Sequence, residues 1–96
     1  MPFVTEMLDR GARLVLTGDV TIAEAASLHG ALTGLVRVAG EVVVDDSRVA
    51  TFDVTLLQLL VAFGRARRSA GASVRAVGGP PSARLAEFGL GTELSA

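Results

Sequence analysis

Apolar and polar positions change rhythm along the chain, and each rhythm predicts a different element. Phe3 to Leu8 is rich in strand formers, and Asp9-Arg10-Gly11 supplies turn chemistry before the β-rich run Arg13-Leu14-Val15-Leu16. These two segments should pair as an antiparallel hairpin. Gly18-Asp19 is expected to break the second strand, and Thr21 with Glu24 fits a capping box, so a helix should start near Thr21. Ala25, Leu28, Leu32, Leu35 and Val36 then recur at three- and four-residue spacing, one buried stripe that Gly40 ends. Val42-Val43-Val44, within Glu41 to Asp45, is a β-branched run without alternation, as expected of a central strand covered on both faces.

Beyond it, Asp45, Asp46 and Ser47 read as an acidic loop leading to a helix that opens at Asp53. Leu56, Leu57, Leu59, Leu60, Val61 and Phe63 make that helix apolar around most of its girth. Arg65, Arg67 and Arg68 lie in its last turns, with Gly71 placed as its C-terminal cap. Ser73 to Val77 reads as a short strand and Gly78-Gly79-Pro80-Pro81 as a turn. Ser82 should cap a short helix carrying Leu85 and Phe88 before Gly89, and Leu90 to Ala96 is too short for another full helix. The order β-β-α-β-α-β-α implies an α/β domain spanning residues 1–96, a mixed sheet of four to five strands with helices packed on it.

Composition narrows the function mainly by exclusion. The 96 residues are half apolar and carry a net charge of -1, which gives no general attraction to nucleic acid or to an anionic membrane. Arg65, Arg67 and Arg68 complement a helix C-terminus, and no aromatic stacking platform accompanies them. Cys is absent, so thiolate chemistry and disulfides are excluded; His29 stands alone, which argues against a metal site and leaves no cofactor implied. All nine basic residues are Arg, so a Walker-type phosphate loop has no Lys to complete it. A Ser-His-Asp arrangement has nothing to assemble it, and Asp45 and Asp46 point to opposite sides of a strand end, so no carboxylate dyad forms. The expectation is a non-enzyme. Glu6, Asp9, Arg10 and Arg13 interrupt any signal-peptide core, and no apolar run reaches the ~18 residues of a membrane span. A cytoplasmic protein without direct membrane insertion is expected.

The spacing of Asp45, Ser47, Val49, Phe52, Asp53 and Thr55 resembles the signature of STAS domains, the fold of anti-sigma-factor antagonists. In that signature a strand ending in Asp-Leu-Ser leads to an apolar residue, Asp, a variable residue and a Ser or Thr. Leu14 to Gly18 with the Ala-rich first helix, and Leu85 to Leu90, are also similar to family segments. The resemblance implies a small regulatory binding module. It makes Thr55 the candidate phosphoacceptor of a partner kinase, and places a partner surface on Gly18, Asp19, Val20, Asp46, Ser47, Asp53, Val54, Thr55 and Leu56. The implied partner is a serine-kinase-like anti-sigma factor or phosphorelay protein; the alternative is the ATPase of an ABC lipid-transport complex, and a homodimer is compatible with either. Two positions depart from the pattern: Leu56 stands where the family usually has Gly, and Val54 where it has a small polar residue. The residues alone also fit plainer roles, with Asp53 as an ordinary N-cap, Thr55 as a first-turn residue and Asp45 to Ser47 as a solvated loop.

Overall fold

The expected hairpin forms because two segments of strand-favouring residues flank a two-residue turn, Asp9-Arg10, that closes it. In the computed structural model, which describes residues 3–90, β1 (Phe3–Leu8) pairs antiparallel with β2 (Gly11–Val20), from Phe3 opposite Leu16 to Leu8 opposite Gly11. Gly11 is required where β2 starts: a Cβ there would stand 1.9 Å from the carbonyl oxygen of Glu41, and its φ is +130°. β2 runs further than expected. Gly18-Asp19 does not end it; register shifts between Val15/Thr17 and Gly18/Asp19 mark bulges, and Gly18 at φ +67° lets pairing resume to Val20.

A short 3-10 turn, Ile22–Glu24, leads into α1 (Ala25–Leu35), where Leu28, Leu32 and Leu35 face inward as the stripe predicts. β3 (Glu41–Phe52) is also longer than its apolar run, because parallel pairing with β2 carries it through the segment read as an acidic loop. α2 (Val54–Ser69) follows, closed by Gly71 at φ +74°, whose N–H donates to the Arg68 carbonyl at 3.0 Å while that of Ala72 donates to Arg67 at 2.9 Å. β4 (Val74–Ala76) pairs parallel to β3, completing a four-stranded mixed sheet in the order β1-β2-β3-β4.

The last helix, α3 (Pro80–Glu87), begins two residues before its expected cap. Proline suits a first helical turn because its fixed φ is helical and its missing N–H would have no partner there. Ser82 is therefore inside the helix, and the capping comes from afar: the Asp46 carboxylate accepts from Gly79 N–H at 2.9 Å, Ser82 N–H at 2.8 Å and the Ser82 hydroxyl at 2.6 Å. Gly79 is held against β3 so closely that a Cβ would lie 2.1 Å from the Asp46 carbonyl oxygen. Leu85 is buried, but Phe88 is exposed, with the Arg84 guanidinium 5.5 Å above its ring. Beyond Leu90 the C-terminal expectation lies outside the described residues.

Ala12, Leu14 and Leu16 of β2, Val42 and Val44 of β3 and Val74 of β4 meet the buried leucines of α1, Leu56, Leu57, Leu60 and Phe63 of α2, and Leu85 of α3 in one core. By strand alternation the opposite sheet face carries Arg13, Val15, Val43 and Arg75. Arg67 closes the core at one end. Fully buried, it donates to the carbonyls of Leu35, Val36, Val38, Gly40 and Ser73 at 2.6–3.3 Å, joining the end of α1, the turn before β3 and the connection to β4. Burial lowers its pKa, yet a guanidinium stays charged at any ordinary pH.

Candidate functional site

At the C-terminal ends of the two central strands, β2 and β3, the chain turns into helix twice, and one side chain serves both turns. Asp53 sits in extended geometry immediately before α2, with its Oδ1 accepting from Thr55 N–H at 3.1 Å and its Oδ2 from Ile22 N–H at 3.0 Å. Asp53 is thus the expected N-cap and also a clasp between the 3-10 turn and α2. Glu24 reaches back to the N–H and hydroxyl of Thr21, both at 3.1 Å, which fixes the turn as the capping pattern predicts. The Thr51 hydroxyl donates to Asp19 at 2.5 Å, tying the ends of β2 and β3 together.

This arrangement holds a small mixed patch open to solvent. Val54 is 63% exposed and Ile22 71% exposed, both apolar, with half-buried Asp53 and Thr55 beside them and Asp19 exposed at the strand end. A shallow groove of about 520 Å³ continues from Asp53 and Val54 between α2 and α3 to Arg84 and Phe88. Sequence reasoning passed over Ile22, although an isoleucine directly after a Thr21 cap lies in a first turn that a core stripe starting at Ala25 leaves uncovered.

Several expected contact residues stand elsewhere. Val20, Asp46 and Leu56 are withdrawn from solvent, at 0%, 0% and 1% exposure, so their side chains cannot meet a partner. Val20 ends β2 facing the core, Leu56 is the first inward position of α2, and Asp46 is used up in capping α3. Ser47 is exposed but lies back along β3, roughly 20 Å of strand from Asp53 at about 3.3 Å per residue. There it donates through its hydroxyl to Asp45 at 2.6 Å and through its N–H at 3.1 Å. These bonds, chiefly that from the hydroxyl, together with Arg48 and Arg13, hold the Asp45 carboxyl below its usual pKa. Half-buried Gly18 forms the bulge beneath Asp19. The remaining cluster is therefore Asp19, Asp53, Val54 and Thr55, with Ile22 added.

Among the described residues no group of His, Cys, Asp and Glu is arranged to hold a metal ion, and no helix is long and apolar enough to cross a membrane. No curated protein sequence matches the chain. Among solved structures it is similar to the anti-sigma factor antagonist SpoIIAA in its unphosphorylated form, with 13% identity, TM-score 0.76, and coverage of 90% of this chain and 82% of that one. Similar too is the Bacillus cell fate determinant SpoIIAA in its phosphorylated form, at 16% identity and TM-score 0.77, covering 93% of this chain and 85% of that one. A third structure, that of Mglu, matches at 24% identity and TM-score 0.68 over 78% of this chain and 19% of that much longer one. At such identities these likenesses concern the fold. The family described as "Mlab, STAS domain" matches residues 3–92, nearly the whole length read above, and the chain belongs to the STAS domain family.

Proposed function

We propose that this STAS domain is a non-enzymatic regulatory module that docks a serine-kinase-type anti-sigma factor or phosphorelay partner, through the patch built on Ile22, Asp53, Val54 and Thr55. The observation that carries the reading is the Asp53 clasp, one carboxylate bonded to the N–H groups of both Ile22 and Thr55. It sets two exposed apolar side chains and half-buried Thr55 on one surface whose backbone is tied by two hydrogen bonds, which limits the ordering cost of docking.

Phosphorylation of Thr55 is the proposed switch. Thr55 is the second residue of α2, a position whose N–H already bonds Asp53, so a phosphate there adds about -1.5 to -2 charges directly beside a carboxylate. Docking by an acid-complementary, apolar partner surface is then lost. The SpoIIAA fold, known in unphosphorylated and phosphorylated forms, is compatible with such a cycle.

A second reading, constitutive association with the ATPase of an ABC lipid-transport system, is favoured by the exposed apolar pair Ile22 and Val54, which suits a permanent contact. The two readings separate on one experiment. Binding of wild type, Thr55→Asp and Thr55→Val is measured by calorimetry against the kinase-type anti-sigma factors and ABC ATPases of the same genome. The switch predicts that Thr55→Val binds the kinase-type protein within a few-fold of wild type, that Thr55→Asp loses at least tenfold, and that kinase and ATP place one phosphate on Thr55. Equal binding by all three chains removes Thr55 from regulation, and tight binding to the ATPase alone selects the accessory-subunit reading.

A further inference from the structure

β1 is the edge of the sheet, with β2 on one side and, among the described residues, nothing paired on the other. Edges of this kind are usually blunted by proline, lysine, bulges or a covering element. None of these occurs within Phe3–Leu8: the segment has one charge, Glu6, its register with β2 is unbroken, and Val4, Met7 and Leu8 are large apolar residues 46–66% exposed. The two-residue turn makes Leu8 and Gly11 a hydrogen-bonded pair, and alternation from that pair turns the N–H and C=O groups of Phe3, Thr5 and Met7 outward.

We infer that β1 is a self-association surface, on which a second copy of this chain pairs antiparallel across a two-fold axis to continue the sheet. The occupant follows from complementarity. A two-fold axis perpendicular to the sheet must pass midway between two copies of one residue, because directly opposed side chains share a face. Centred on Glu6, the pairing would set two carboxylates directly opposite each other, which is destabilising. Centred on Thr5, it sets Thr5 against Thr5, exposed Met7 against the backbone edge of Phe3, whose ring stays in the core, and Val4 beside Glu6, with every outward backbone group of the three residues bonded. The strands of the two copies run in opposite directions, so the two patches around Asp53 lie at opposite ends of the dimer and both remain open. A strand of 6 residues covers less than the about 1,600 Å² of a standard interface, which makes the dimer weak and concentration-dependent.

Sedimentation equilibrium from low-micromolar to near-millimolar chain tests this. The expected result is a mass rising from the 9.8 kDa monomer towards twice that value in wild type. Thr5→Pro removes only an outward N–H and Met7→Lys charges the edge; both should stay monomeric with a native circular-dichroism spectrum, and Met7→Lys alone carries the comparison if Thr5→Pro misfolds. The chain has no cysteine of its own. Thr5→Cys should therefore cross-link to itself under mild oxidation, since opposed hydrogen-bonded residues lie about 5.5 Å apart at Cα, and Glu6→Cys should not. A wild type that stays monomeric throughout overturns the inference, as does undiminished association of Met7→Lys or preferential cross-linking through Glu6→Cys.

Discussion

Individual residues were legible in the sequence where their partners are neighbours. Asp53 before an apolar helix and the Thr21/Glu24 pair are read locally, because N-caps act over two or three residues. Asp46 could not be read that way, since the groups it satisfies are 33 and 36 residues further on. Next to Asp45 it resembles surface acid. Its burial makes it a sharp test of how α3 is started. Asp46→Ala leaves two amide donors without an acceptor and should cost about 2–4 kcal/mol in urea unfolding, while Ser82→Ala, which loses the hydroxyl bond alone, should cost about 1 kcal/mol. Asp46→Asn belongs between them, because one of its two terminal atoms then points an N–H at an N–H. Equal losses for the three variants would show that α3 is not held by this carboxylate.

Elements were predicted in kind and order, and misjudged chiefly in extent. Gly18-Asp19 and the Asp45 to Ser47 stretch look like breaks because glycine and short polar residues favour turns. A central parallel ladder overrides that preference, absorbing Gly18 as a bulge and carrying β3 on to Phe52. The C-terminal arginines show a similar limit. Helix-dipole reasoning treats Arg65, Arg67 and Arg68 alike, but the helical phase turns Arg67 inward, where its planar fork meets five carbonyls from two connections. Arg67→Lys keeps the charge and loses the fork: one ammonium with three donors cannot reach both the Leu35 to Gly40 turn and Ser73. A loss of about 2–4 kcal/mol is expected, lowering the melting temperature by on the order of 10 °C or more for a domain of this size. Melting unchanged within a degree would mean that these carbonyls do not depend on Arg67.

At the scale of the molecule, the helices share one core with one face of a four-stranded sheet, which leaves the strand ends for docking and β1 as an open edge. α2 gives Leu56, Leu57, Leu60 and Phe63 to that core, and Leu60, at 0% exposure, is the most deeply buried of them. A domain of this kind has about 5–15 kcal/mol of stability in total, and Leu60→Ala should consume about 2–5 of it while leaving the chain folded. Leu60→Asp should unfold the domain at pH 7, because an ionised carboxylate there has neither water nor a partner. Its folded pKa would be raised above the unfolded value of about 3.9, so the variant's remaining stability is largest below that value and is lost as the pH rises. Asp45, whose folded pKa is lowered instead, contributes above its unfolded value and gives way only at more acidic pH, so it does not cancel the gain near pH 4. Far-ultraviolet circular dichroism of Leu60→Asp should therefore show more folded chain near pH 4 than at pH 7, with Leu60→Asn indifferent to the change. A native spectrum at pH 7 would place α2 outside the core and dissolve the scaffold on which both the docking patch and the open edge depend.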